Sequence, residues 1–192
     1  MVRMSRENRE RRRREINVLG HAHELTFSCY RRYSFLQSER TCQWLADAIE
    51  HARELHDFAL WAYVFMPDHA HLIILPRRPR HQMRSIWSSI KLPVARRAIH
   101  FLREQNSPWL ERLTRRRGSR TEHLFWQSGG GYDRNIVCAK TLLQMIDCLH
   151  LNPVRKGLVE FARDWKWSSA AWFEGGSSPI PLGPIPREWL AC

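Results

Sequence analysis

The chain has 192 residues, 43% of them hydrophobic, and a formal net charge of +12. That length fits one domain with tails, and that composition excludes a disordered chain. A positive excess of this size points to an anionic partner, and 9 Trp and 8 Phe favour nucleic acid over an acidic small molecule, because aromatic faces stack on unpaired bases.

Five cysteines, an odd number with no Cys-x-x-Cys pair, read as buried, reduced thiols and not as a disulfide frame or a zinc site. The N-terminus is too rich in arginine for a signal peptide. No apolar run approaches the roughly 20 residues that span a bilayer. The expectation is a soluble, cytoplasmic protein with no membrane partner.

Residues 1–17 form a basic arm, with Arg3, Arg6, Arg9 and the run Arg11 to Arg14. Such an arm either lies on phosphates or is a solvated tail. Residues 22–30 alternate and carry β-formers, so they predict a first strand. His21 and His23 at its start are read as ordinary strand-edge residues. Arg31, Arg32 and Tyr33 follow in a basic turn. Leu45, Ala48, Ile49, Ala52 and Leu55 recur at helical spacing over 39–57. Residues 58–66 are short and almost wholly apolar, as in a strand buried on both faces. Pro67-Asp68 turns the chain back into a strand over 69–75, which makes an antiparallel hairpin.

After a basic loop at 77–84, a helix runs through Met83, Ile86, Trp87 and Ile90. Pro93 should break or kink it before it resumes to Leu102. Residues 105–122 predict an inserted helix with a basic turn, and 123–127 a further strand. Gly129-Gly130-Gly131 opens a flexible loop ahead of Tyr132. A last helix spans Ala139 to Leu151, stopped by Asn152-Pro153. Residues 18–172 then form the main domain, and 173–192 a loosely held tail rich in Pro and Gly. The order of elements fits a ferredoxin-like α+β fold, a four-stranded antiparallel sheet with helices packed on one face.

The stretch that carries chemistry is Met66-Pro67-Asp68-His69-Ala70-His71-Leu72-Ile73-Ile74. Residues i and i+2 of a strand share a face, so His69 and His71 project side by side, as two imidazole ligands of one metal would. A lone His-x-His on a strand is otherwise a structural pair. Arg31, Arg32, Arg77, Arg78, Arg84, Lys91 and Arg134 are candidate DNA-binding residues, each alternatively a solvated surface residue.

Met66 to Ile74 resembles the signature of the HUH single-tyrosine transposases. Phe125-Trp126-Gln127 with Tyr132-Asp133, then Leu151-Asn152-Pro153-Val154-Arg155-Lys156-Gly157-Leu158-Val159, then Trp165-Lys166-Trp167-Ser168-Ser169, resemble the branch of REP-associated tyrosine transposases. The blocks run in order from about residue 22 to residue 172. The resemblance implies a nuclease domain that binds single-stranded or hairpin DNA and takes part in DNA transposition. His69 and His71 would hold Mg²⁺ or Mn²⁺, and a helix tyrosine would attack the phosphate to leave a 5′-phosphotyrosine and a free 3′-hydroxyl. Members of the family often dimerise, so a homodimer is a further implication. The chain departs from the pattern on its last helix. Leu142 stands at the tyrosine position, and Ile146 near that of the third metal ligand. Gln144 and Asp147 are the nearest polar candidates for that ligand. Tyr132, after the triple glycine, is the best candidate nucleophile. The alternative is a DNA-binding module of the same descent without covalent chemistry.

Overall fold

The computed structural model describes residues 18–190. The basic arm lies outside them. Strand β1 (Ala22–Ser28), helix α1 (Glu39–His56), the hairpin of β2 (Phe58–Met66) and β3 (His69–Pro76), and helix α2 (Met83–Glu104) follow one another as the spacing predicts. Pro93 does not interrupt α2, which runs through it. The sheet has the order β2-β3-β1-β6, all neighbours antiparallel, with β6 at Tyr132–Ile136. This is the ferredoxin-like arrangement.

Two expectations fail between α2 and β6. Residues 105–122 are not one helix: a single turn, α3 (Trp109–Arg112), leads into a hairpin of β4 (Thr114–Arg117) and β5 (Arg120–His123). Gly118-Ser119 is a two-residue hairpin turn, and Gly118 has φ +58°, a left-handed conformation that glycine adopts without cost. The fourth strand of the sheet is Tyr132–Ile136 and not 123–127, of which only Trp126 bridges to Cys29.

Strand alternation divides the core. Leu25 and Phe27 of β1 and Ala70, Leu72 and Ile74 of β3 face α1 and α2, where they meet Leu45, Ile49, Ile90 and Val94. The opposite face gathers Ala22, Trp61, Ala62, Val64, Ile73 and Ile136 under helix α4 (Ala139–His150), whose Leu142, Ile146 and Leu149 point at the sheet. Every residue of β2 is buried, as a strand covered on both faces requires.

The outer edge of β2 is also covered. Phe65 N–H donates to the Trp167 carbonyl at 2.8 Å and Ser169 N–H to that of Tyr63 at 3.0 Å. The C-terminal segment is not loosely held. Gly183 N–H donates to the Leu60 carbonyl at 2.8 Å, Trp61 Nε1–H donates to the Pro184 carbonyl at 3.1 Å, and Ile180 is fully buried. A covered edge cannot template pairing with another chain. Cys29 and Cys42 are buried thiols as expected, but Cys138 and Cys148 are exposed.

Candidate metal and DNA site

His69 and His71 stand where the sheet face turns from apolar to polar. Ala70 and Leu72 enter the α1–α2 core, so alternation places the two histidines on the α4 face, and their ring centroids lie 4.9 Å apart. Each ring is held by its Nδ1. His69 Nδ1 is 2.6 Å from Asp68 Oδ1, and His71 Nδ1 is 2.8 Å from Thr26 Oγ1. A carboxylate accepts only, so His69 donates from Nδ1 and its Nε2 keeps a lone pair. Neither Nε2 has a hydrogen-bond partner among the described residues. Burial lowers the pKa of His69, opposed by its bond to Asp68. A neutral imidazole oriented by a carboxylate is the form that ligates a metal. The donor set therefore fits a divalent cation at two positions. No group of three His, Cys, Asp or Glu side chains suited to a metal occurs among the described residues, so further coordination would fall to water or phosphate oxygens, which suits Mg²⁺ or Mn²⁺.

Asp68 is itself held. Arg32 Nε lies 2.6 Å from Asp68 Oδ2, and Arg32 Nη1 donates to Ser28 Oγ at 2.8 Å. Arg31 and Arg32 adopt successive left-handed conformations, φ 52° and 58°. Such a conformation costs a non-glycine residue on the order of 1 kcal/mol, and strain of this kind collects at functional sites. Here it swings Arg32 back onto the turn that carries Asp68. Arg32 thus supports His69 through Asp68, a role its place in a basic turn did not reveal.

Sheet register assembles a row across the face. His71 pairs with Val64 on one side and Thr26 on the other, and Thr26 pairs with Tyr132 on β6. Tyr132 is 38% exposed and two strand spacings, roughly 10 Å, from His71. The adjoining row is Ile73, Glu24 and Arg134, with Glu24 Oε1 3.8 Å from His71 Nδ1. Thr26, Glu24 and Asp68 thus join the candidate site. Asp68 lay inside the motif, but Thr26 and Glu24 are found only once the register of β1 against β3 is known.

Other predicted residues go elsewhere. Gln144 and Asp147 lie on the exposed side of α4, because Leu142, Ile146 and Leu149 occupy the side facing the sheet; neither is brought to the histidines. Leu142 itself is fully buried. Lys91 donates to the Gly129 and Gly130 carbonyls at 2.7 and 3.2 Å, and burial lowers its pKa to about 8. It anchors the glycine loop. A Cβ at Gly131 would lie 2.3 Å from the Thr26 carbonyl oxygen, so the missing side chain there serves close packing against β1. Arg77 and Arg78 follow the far end of β3, about 20 Å along the strand from His71, and Arg77 lies 3.6 Å from Asp57. Arg84 lines a cleft with Trp87 and Trp126. Arg31 and Arg134 are exposed at or near the histidine end. His23 is no edge residue: it is fully buried, with Nδ1 2.8 Å from Asp133 Oδ1.

No protein-family model matches the sequence, and no curated protein matches it. Among solved structures, the chain is similar to a REP-associated tyrosine transposase bound to a REP hairpin, with 20% identity, 91% of this chain and 92% of that chain covered, and a TM-score of 0.63. A protein from Deinococcus radiodurans R1, provisionally described as a transposase, is 16% identical over 71% of this chain and 97% of its own, with a TM-score of 0.43. The first likeness shows the fold, a four-stranded antiparallel sheet with packed helices. No helix among the described residues is long and apolar enough to cross a membrane.

Proposed function

We propose that the chain is an HUH-type transposase-like protein that binds single-stranded or hairpin DNA and cleaves and rejoins one strand, with Mg²⁺ or Mn²⁺ held at His69 and His71. The observation that carries this reading is the pair of Nε2 atoms left without hydrogen-bond partners on one sheet face by separate Nδ1 partners, Asp68 and Thr26. The likeness in fold to a hairpin-bound transposase and the net charge of +12 support it. A bound metal would supply a Lewis acid that neutralises phosphate charge.

The chain's own residues do the rest. Asp68 and Arg32 fix the ring of His69, and Thr26 that of His71. Tyr132 is the proposed nucleophile. Its phenolic oxygen bonds to phosphorus, the P–O3′ bond breaks, and the phenolic proton ends on the departing 3′ oxygen. A phenol of pKa about 10 needs this electrostatic help to attack at neutral pH. A second reading, a DNA-binding module without covalent chemistry, is favoured by Leu142 and Ile146, whose side chains are buried in the core at the positions where the resemblance expects a tyrosine and a ligand.

The test mixes the full chain and Mn²⁺ with hairpin DNA labelled at either end, then resolves products under denaturing conditions. The expected result is a protein–DNA adduct that Tyr132→Phe and His71→Ala each abolish. Cleavage without an adduct would assign the attack to water, and binding without cleavage would assign the module.

A further inference from the structure

Beside the histidine end, on the α1–α2 side of the sheet, lies a cavity of about 640 Å³. Its wall is aromatic: Tyr33, Phe35, Trp44, Phe101, Trp109 and Phe125 all line it. Phe35 is its floor, stacked on Phe125 at 5.1 Å and met edge-on by Tyr33 at 5.6 Å and Trp109 at 5.3 Å. Of the six, only Phe125 is buried; the other five are partly open to the cavity or to solvent. A hydrophobic core closes over such rings, whereas these five remain only partly buried around a concave opening of the size that takes small ligands.

Arg40 lines the opening, and Arg112 lies against the lining ring of Trp109. The Arg40 guanidinium sits 4.2 Å above the centroid of Phe101, and that of Arg112 4.7 Å above Trp109. Neither has a carboxylate partner among the described residues. Arg32 also lines the opening. Through its contact with Asp68, which in turn meets His69 Nδ1, the rim is joined to the histidine pair.

Aromatic side chains beside three arginines are complementary to a flat, uncharged base attached to an anionic backbone. An apolar peptide has no use for the arginines, and a free phosphate has none for the aromatic floor. We infer that this cavity receives an unpaired base of the DNA strand bound at the histidine pair, stacked on Trp109 and edge-on to Phe35, with its flanking phosphates at Arg40 and Arg112. The inference rests on the DNA-binding reading above and adds to it a site for one extruded or single-stranded nucleotide. Holding that nucleotide beside Arg32 would fix the register of the strand relative to His69.

The experiment measures fluorescence anisotropy of the full chain with an end-labelled hairpin that carries a single-stranded extension. Single abasic sites are placed along the extension in turn. One position is expected to weaken binding roughly 10-fold or more. Trp109→Ala should weaken binding of the intact strand by a similar factor, yet add nothing when that same position is abasic. Trp109→Phe, which keeps a stacking face, should restore most of the loss, and this separates stacking from a folding defect. Blunt duplex DNA should be bound equally by all three proteins. If no abasic position is coupled to Trp109 while the wild type still binds the hairpin, the cavity proposal fails and the DNA reading stands. If the wild type binds no hairpin at all, both fail.

Discussion

One face of one sheet carries two regions of opposite character. At the far end of the α4 face, Ala22, Trp61, Ile73 and Ile136 meet Leu142 and Ile146 in a closed apolar core. At the near end, the strands that hold this core present His69, His71, Thr26, Ser28 and Tyr132. Alternation gives every residue of the face the same orientation. The change falls within a row: Val64, paired with His71, belongs to the closed core, whereas His71 and Thr26 are polar and only partly buried. The apolar end fixes the strands so that the polar end can hold two rings side by side, and histidines elsewhere mark the contrast. His150 commits its Nε2 to Ser169 Oγ at 2.7 Å and is buried as part of the scaffold, whereas His69 and His71 commit Nδ1 and leave Nε2 without a hydrogen-bond partner among the described residues.

Damage to each end separately should have opposite consequences. Trp61→Ala should cost about 3–5 kcal/mol of stability, because it removes a fully buried indole together with its bond to the Pro184 carbonyl. Denaturant unfolding measures it. Under the same assay His71→Ala should stay within about 1 kcal/mol of wild type, while Mn²⁺ binding by calorimetry disappears. An equal loss of stability from both would make the histidine end scaffold too.

A pH titration of stability gives the next effect. Burial lowers the pKa of His150 from 6.5 to about 4. The folded state then binds fewer protons than the unfolded one between those values. The contribution is complete above about pH 6.5 and is lost as pH falls toward 4, on the order of 3 kcal/mol in all. His150→Gln should flatten that part of the curve of unfolding free energy against pH. An unchanged slope would remove His150 from the scaffold.

The smallest expected change sharpens the polar end. Asp68→Asn keeps the shape of the turn but removes the charge that orients His69. Loss of such a partner weakens metal affinity about 10–100-fold, measured by Mn²⁺ calorimetry, with a thermal midpoint within a few degrees of wild type. A thermal loss without a metal effect would assign Asp68 to holding Arg32 and the turn alone.

The blocks that resemble transposase motifs have divided roles. Met66 to Ile74 builds the candidate site. Trp165 to Ser169 seals the edge of β2, with Trp165 Nε1–H donating to the Phe65 carbonyl at 2.8 Å and Trp167 Nε1–H to Glu39 Oε2 at 2.9 Å. A motif read as a unit therefore mixes residues for chemistry with residues for closure, and the sequence does not label which is which.

The sequence by itself determined the elements whose signal is local. Helical spacing gave α1 and the apolar stripe of α4, an all-apolar run gave β2, and Pro67-Asp68 followed by alternation gave the side-by-side histidines. Tertiary structure decided what depends on partners distant in the chain. Gly118-Ser119 makes a hairpin of a segment whose charges suit a helix, and Tyr132–Ile136 becomes a strand because β1 has an open edge to pair with. The Pro- and Gly-rich tail is ordered because Trp61 and Leu60 offer it hydrogen bonds. Thr26 and Arg32 stand 45 and 36 positions before His71 and Asp68. Only sheet register and a left-handed turn bring them to the site, and neither is written in the spacing of nearby residues.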